Sequence, residues 1–313
     1  FIPLGDEHAD LAARLLKLAE RAKTQVRGVF KFDMSKRTKA ANAALTGMVP
    51  TKADNPNVPV SPEEIADDAE RVVGAGAAVV HLHARDETGA PSWKPDIYRR
   101  IVASVRDRCP EVVVCVSTSG RVFKGFEERA AVLDLDGDEK PELASLTLGS
   151  LNFPQQVSVN EPDMIRRLAE RMRDRGVVPE LEVFDLGMVD YLHHLLDRGV
   201  LEPPLYVNVL LGSLGTLAAT PANLVAVVRA LPSGATWSAA GIGRFQLAVG
   251  GLAIAMGGHV RVGLEDALWL DAAKTQPATN LLLTERVVRI ADALARPCAT
   301  PDEARALIGL PAR

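Results

Sequence analysis

Ser61-Pro62-Glu63-Glu64-Ile65-Ala66-Asp67-Asp68-Ala69-Glu70-Arg71-Val72-Val73-Gly74-Ala75-Gly76-Ala77-Ala78-Val79-Val80-His81-Leu82-His83 reads as one helix followed by one strand. Ser61 stands at the N-cap, Pro62 at the first helical position, and Glu64 three residues after the cap, the spacing of a capping box. Ile65, Ala69, Val72 and Val73 share one helical face, and Gly74 and Gly76 end it. The apolar run that follows does not alternate strictly, as expected of a strand buried on both faces.

The same unit recurs along the chain. Apolar β-type runs occupy 42–46, 77–83, 112–117, 143–148, 180–184, 206–211, 236–240 and 259–264, with starts roughly 23 to 37 residues apart. That is the distance one βα unit needs. Helical patterns fill the gaps at 95–106, 162–175, 188–198, 221–231, 245–256 and 285–295, several of them ended by glycine (Gly176, Gly199). Eight alternating units predict a (β/α)8 TIM barrel over 41–313, with an open doubly wound sheet as the alternative. Residues 1–40 fall outside this count. Leu11, Leu15, Leu18 and Ala19 give 8–23 a helical spacing, so 1–40 is expected to be a helical extension packed on the barrel or on another subunit. The basic stretch 31–39 is expected to be a solvated face, and 134–140 a surface loop.

Composition narrows the class. The 313 residues are 47% hydrophobic and 24% charged, with a net charge of -4, the balance of a globular enzyme and not of a general nucleic-acid binder. No apolar run approaches the ~18 residues of a membrane span. The opening residues lack the pattern of a signal peptide, and Cys109, Cys115 and Cys298 are too scattered for a disulfide framework or a CxxC zinc site. A cytoplasmic metabolic protein is expected.

Three strand ends concentrate chemistry. His81 and His83 alternate onto one face at the carboxyl end of the second run, where a barrel has its catalytic mouth. They are either half of a metal site or a pair of buried structural histidines. Arg261-Val262-Gly263-Leu264-Glu265-Asp266 ends the eighth run. One carboxylate there can complete a His/His/carboxylate set while the other acts as a base; the alternative is that both cap the next helix. Ser117-Thr118-Ser119-Gly120-Arg121 ends the third run as a hydroxyl-rich turn able to hold a carboxylate or thioester oxygen, or else as an ordinary βα turn. Glu180 and Glu182 point into the barrel and need partners such as Arg261, a metal or substrate. Arg244 is placed to meet a phosphate or carboxylate, with packing or a surface ion pair as the alternative. His193, His194 and His259 are expected to be structural, and the cysteines inert, with Cys115 buried.

Beyond these residues, Thr46-Gly47, the stretch from Asp54 through Ile65, Ala75-Gly76-Ala77, His81 to Arg85, and Ser117-Thr118 resemble the β-keto acid cleavage enzymes. Gly149 to Phe153, Val178 to Val183, Gly241 to Arg244 and Gly258 to Asp266 extend the resemblance in order from about residue 41 to the C-terminus. The resemblance implies a TIM barrel, a divalent metal (usually zinc), homo-oligomers that are often tetramers, and a reaction of a β-keto acid with acetyl-CoA giving acetoacetate and a new acyl-CoA. It implies His81, His83 and Glu265 as metal ligands and Asp266 as base with Arg261 beside it. It further implies Ser117 near the substrate and Glu182 near the reacting atoms.

The departures are informative. Val49 stands where members acting on an amino-bearing substrate have a glutamate, which argues against a tail amine and toward an uncharged or apolar tail. Ser145 stands for a common threonine, and Ser119 for a glycine of the hydroxyl-rich turn; Val49, Ser145, Thr118, Ser119 and Arg244 are the expected substrate contacts. Residues 1–40 have no counterpart in compact members and are expected to make an oligomer contact. The alternatives are a zinc-dependent hydrolase or lyase on the same barrel, or a non-catalytic barrel scaffold. The hydrolase reading is weakened because the HxH motif is on the second run and the middle strands end without histidine.

Overall fold

The computed structural model describes residues 38–154 and 156–313, together with residues 2–3, 9–10, 13–14, 17 and 30–31. The chain divides into two compact units, Phe1–Arg37 and Thr38–Arg313. In the first, Ile2–Pro3 pairs antiparallel with Phe30–Lys31. Residues 9–10, 13–14 and 17 are helical, and the remainder of the helix expected over 8–23 lies outside the described residues.

In the second unit eight parallel strands close into a barrel: β1 (Ala41–Ala44), β2 (Val79–Leu82), β3 (Val113–Val116), β4 (Leu143–Thr147), β5 (Val178–Val183), β6 (Tyr206–Leu211), β7 (Thr236–Gly241) and β8 (His259–Val262). Each strand pairs with the next, and β8 returns to β1 through Val260↔Ala41 and Arg261↔Asn42. The expected TIM barrel is therefore present, and the open sheet is not. Alternation sorts the strand residues into two layers. Val80, Leu82, Val114 and Val116 pack outward among the helices, whereas Val79, Val113, Cys115 and Leu143 share a separate interior cluster.

The surrounding helices are α1 (Pro62–Gly74), α2 (Pro95–Arg108), α3 (Phe126–Ala130), α4 (Pro162–Arg175), α5 (Leu186–Asp197), α6 (Pro221–Ala230), α7 (Gln246–Ala255), α8 (Asn280–Ala293) and α9 (Pro301–Ile308). The capping box of α1 is formed at both points: Glu64 N donates to Ser61 Oγ (3.2 Å) and Ser61 N to Glu64 Oε2 (3.1 Å). α4 stops where Gly176 turns left-handed. Among the described residues no helix is long and apolar enough to cross a membrane.

Two expectations are corrected, and one element is new. The last barrel helix begins at Asn280, not 285, with Thr279 as its cap, so Glu265 and Asp266 do not cap it. Lys39, assigned to a solvated basic stretch, is fully buried. Its main chain bridges to Cys298, and its ammonium donates to Cys298 Sγ (3.2 Å). Helix α9 was not expected at all. Its Ala304 and Ile308, with Leu310, pack against Val79, Val113, Cys115, Leu143 and Tyr206, plugging the barrel at the strands' amino ends. Arg305 fixes the plug by donating to Glu111 O (2.7 Å) and Glu142 Oε1 (2.9 Å). A fully buried side chain such as Ile308 adds about 1.5–3 kcal/mol. With that end filled, chemistry is confined to the carboxyl ends of the strands.

Candidate active site

A cavity of about 930 Å³ opens there, lined by residues from most of the strand ends. His81 in β2 and His83 just after it reach it from one strand, as alternation requires. Glu265 arrives from the turn after β8. That turn comes close to the β1 end only because Gly47 adopts φ +70 and has no side chain; a Cβ there would lie 2.7 Å from Glu265 Cγ.

The three ligand atoms converge. His81 Nε2 and His83 Nε2 are 3.1 Å apart, His83 Nε2 lies 3.2 Å from Glu265 Oε1, and His81 Nε2 lies 3.7 Å from Glu265 Oε2. Ligands of a tetrahedral ion at ~2.0–2.1 Å stand about 3.3 Å from one another, so the spacing fits one divalent metal. Glu265 Oε2 and His83 Nδ1 are buried with no hydrogen-bond partner, and the first of these is an oxygen able to ligate a cation. His81 Nδ1 meets Glu180 Oε2 at 3.1 Å, which assigns the proton to Nδ1 and leaves Nε2 free to ligate. Burial pushes the His83 imidazole down to about 4, keeping it neutral as a ligand must be. Burial would raise the Glu265 carboxyl, but Arg261, His83 and His81 hold it well below the usual range.

A second convergence, His81 with Cys115 and Glu180, is entirely buried. Burial, reinforced by Glu180, pushes the Cys115 thiol well up, so it stays protonated and points at Glu180 (3.5 Å) instead of ligating. Glu180 is further held by Asn42 Nδ2 (2.6 Å) and, more loosely, Asn208 Nδ2 (3.5 Å); Asn208 in turn accepts from Ser238 Oγ (3.0 Å). This polar layer supports His81 from below.

Arg261 gathers the carboxylates. It donates to Asp266 through Nε (2.9 Å) and Nη2 (3.2 Å), and also approaches Glu265 (2.9 Å), Glu182 (3.4 Å) and Glu180 (3.7 Å). Burial lifts the Asp266 carboxyl above its ordinary range despite the pull of Arg261. Burial lifts Glu182 as well; it accepts a hydrogen bond from Thr147 Oγ1 (2.7 Å).

Of the other sequence candidates, Val49, Ser117, Ser119, Ser145 and Arg244 line the cavity. Ser117 Oγ accepts from Ser119 N (3.2 Å), leaving its proton available to the cavity. Ser145 Oγ accepts from Thr118 N (3.2 Å). Thr118 itself faces away, its hydroxyl donating to Ser145 O (2.5 Å); it braces the turn. Arg244 is exposed at the rim, its guanidinium 4.9 Å from the Phe245 ring centre. His259 is buried and accepts from Ala40 N (2.9 Å), and His193 meets Ala230 O (2.8 Å), both remote from the cavity. Sequence reading missed Asn42, Thr147, Asn208, Ser238 and the lining residue Phe153. Asn208 carries a signal, as a lone amide within the apolar run Tyr206–Leu211.

Comparison with known proteins bears on the family and the fold. Residues 40–310 match the family model described as beta-keto acid cleavage enzyme. The chain is 40% identical over 269 residues, 86% of its length and 96% of the relative's, to a 3-keto-5-aminohexanoate cleavage enzyme of Fusobacterium nucleatum. It is 37% identical, over 86% of its length and 94% of the relative's, to a 3-oxoadipate:acetyl-CoA acetyltransferase of Cupriavidus necator. A solved complex of ObcA with oxaloacetate superposes with a TM-score of 0.74 at 24% identity, covering 82% of this chain and 68% of that one, which supports the fold alone. Those matches displace the hydrolase and scaffold alternatives. The chain belongs to the β-keto acid cleavage enzyme family.

Proposed function

We propose that this chain exchanges acyl groups between a β-keto acid and acetyl-CoA at a zinc site made by His81, His83 and Glu265. The observation that carries this reading is the 3.1–3.7 Å convergence of those three ligand atoms, with Asp266 next in sequence and clamped by Arg261. When bound, the metal would act as a Lewis acid toward the substrate's oxygens.

The chain's own residues supply the rest. Asp266 takes the proton from the carbon between the two carbonyls, and Arg261 keeps its carboxylate aimed. The resulting carbanion attacks the thioester carbonyl; the new C–C bond forms as the C–S bond breaks, releasing the CoA thiolate. That thiolate adds to the substrate's original keto carbon, and the bond between this carbon and the former nucleophilic carbon breaks. Acyl-CoA leaves, and the carbanion of acetoacetate recovers its proton from Asp266. Ser117 offers a hydroxyl proton to oxygen as it becomes negative. Glu182 sits beside Arg261 at the reacting end, while Ser145, Ser119 and Arg244 contribute polar contacts to the bound substrates. Val49, exposed in the cavity wall, argues for a substrate without a tail amine, since an apolar side chain cannot pair with ammonium.

The reading extends to a homo-oligomer, as the sequence resemblance implies, and places residues 1–40, which lie outside that resemblance, in its contact; light scattering on a chain starting at residue 38 checks it. For the site, the test is metal analysis of the purified protein with turnover before and after chelation. About one zinc per chain and zinc-restored activity are expected. A metal-free protein of full activity would overturn it.

A further inference from the structure

Arg121 is a cation of the cavity wall that the reaction above does not use. It lines the same cavity as His81, Glu265 and Asp266, at the end of the hydroxyl-rich turn after β3. Its guanidinium carbon sits over the Phe153 ring, 3.4 Å from the ring centre, and Phe153 is held edge-on by Phe184 at 6.0 Å. Among the described residues it has no carboxylate within ion-pairing distance, and its Nε is buried without a hydrogen-bond partner. The turn is built to place it. Arg121 N donates to Ser119 Oγ (3.3 Å), and Arg129 ties down Thr118 O (2.8 Å) and Val159 O (3.1 Å). Gly120 has no room for a side chain, since a Cβ would lie 2.2 Å from Val159 O.

A rigid, partly buried guanidinium with open donor positions is organised for a planar anion. We propose that Arg121 sets substrate choice by binding a carboxylate at the far end of the β-keto acid, so that the preferred substrates are dicarboxylic. This rests on the proposed reaction and names its substrate class. It also revises the uncharged tail that Val49 suggested: Val49 excludes an ammonium partner, whereas the charge that decides the tail comes from a different loop. Two other anions could meet the guanidinium: the acid's own C1 carboxylate, which mono- and dicarboxylic substrates share and which would give no preference between them, and a CoA phosphate. That phosphate is separated from the thioester by the whole pantetheine arm and stays wetted, which suits the exposed rim residues Arg244 and Lys274 better than a half-buried arginine in the cavity wall.

The experiment uses zinc-loaded full-length protein and its Arg121→Ala and Arg121→Lys variants. Calorimetric binding of unreactive dicarboxylates of four to eight carbons is compared with monocarboxylates of equal length. Turnover of 3-oxohexanedioate is compared with that of 3-oxohexanoate. One charge-assisted contact predicts a dicarboxylate preference of about 10- to 100-fold in binding and in kcat/KM, expressed in KM. Arg121→Ala should collapse that ratio, and Arg121→Lys should restore part of it. Equal affinities for the two ligand series in the wild type, or a ratio unchanged in Arg121→Ala, overturn the proposal. So does a rise in the KM for acetyl-CoA in Arg121→Ala with the substrate ratio intact, which assigns the arginine to the cofactor's phosphate. If the binding preference holds but neither keto acid reacts, the Arg121 assignment stands and the proposed reaction falls.

Discussion

Arg261 and Asp266 form a two-point ion pair, Nε to Oδ2 at 2.9 Å and Nη2 to Oδ1 at 3.2 Å, five residues apart across the end of β8. The arginine fork fixes the plane of the carboxylate as well as its charge, which a single contact would not do. Asp266 thus meets the arginine at two points, whereas its neighbour Glu265 meets it at one (2.9 Å) and turns to the histidines.

In the proposed reaction Asp266 is the base, and replacing it by asparagine keeps the size of the side chain and removes that function. Turnover should fall about 10²- to 10⁴-fold or more while zinc content stays unchanged, read by product formation and elemental analysis on the same sample. Near-normal turnover would remove Asp266 from the base role.

Arg261 is fully buried among four carboxylates, so its loss leaves uncompensated negative charge. Arg261→Met should destabilise the fold by about 3–5 kcal/mol, measured by denaturant unfolding. Arg261→Lys keeps the charge without the fork. It should be the more stable of the two and still lose most of its kcat.

In the proposed zinc site Glu180 would act on the metal only through His81, whose Nδ1 it meets at 3.1 Å. Glu180→Gln should weaken zinc affinity about 10- to 100-fold, as removal of a partner behind a ligand does. His81→Ala should lose zinc altogether. Competition with a chromogenic chelator reads both, and equal zinc affinity in Glu180→Gln and wild type would contradict the orienting role.

Two glycine-to-alanine changes should have opposite signs. At Gly47 the left-handed backbone and the approach of Glu265 make alanine destabilising by more than about 1 kcal/mol, with reduced metal content. At Gly251 in α7 an added Cβ meets nothing within 4 Å, so alanine should stabilise by about 0.4–1 kcal/mol. Thermal unfolding of the two variants side by side decides it.

The barrel was legible because its strands are short apolar runs bounded by glycine turns and helix caps, each wall buried on both faces. The site was legible where residues meet along one strand, as His81 and His83 do. It was ambiguous at Glu265 and Asp266 because acidic residues after a strand read equally as helix caps. Only the position of the next helix, capped by Thr279, separates those readings. Helix α9 was written in the sequence as the capping box Thr300-Pro301-Asp302-Glu303, but nothing in a linear pattern tells that its apolar face fills the barrel's end. The bracing of His81 by Glu180, Asn42, Asn208 and Ser238 joins four different strands, so it depends on strand register, which periodicity does not supply.

The most direct measurement follows the carbon atoms. The zinc-loaded protein is incubated with a β-keto acid that it turns over and with acetyl-CoA carrying ¹³C at both acetyl carbons, and the products are read by mass spectrometry. Acyl exchange puts both labelled carbons in acetoacetate and none in the new acyl-CoA. Unlabelled acetoacetate, or label recovered only as free acetate, would mean that no carbon–carbon bond forms to the acetyl group and would contradict the proposed reaction.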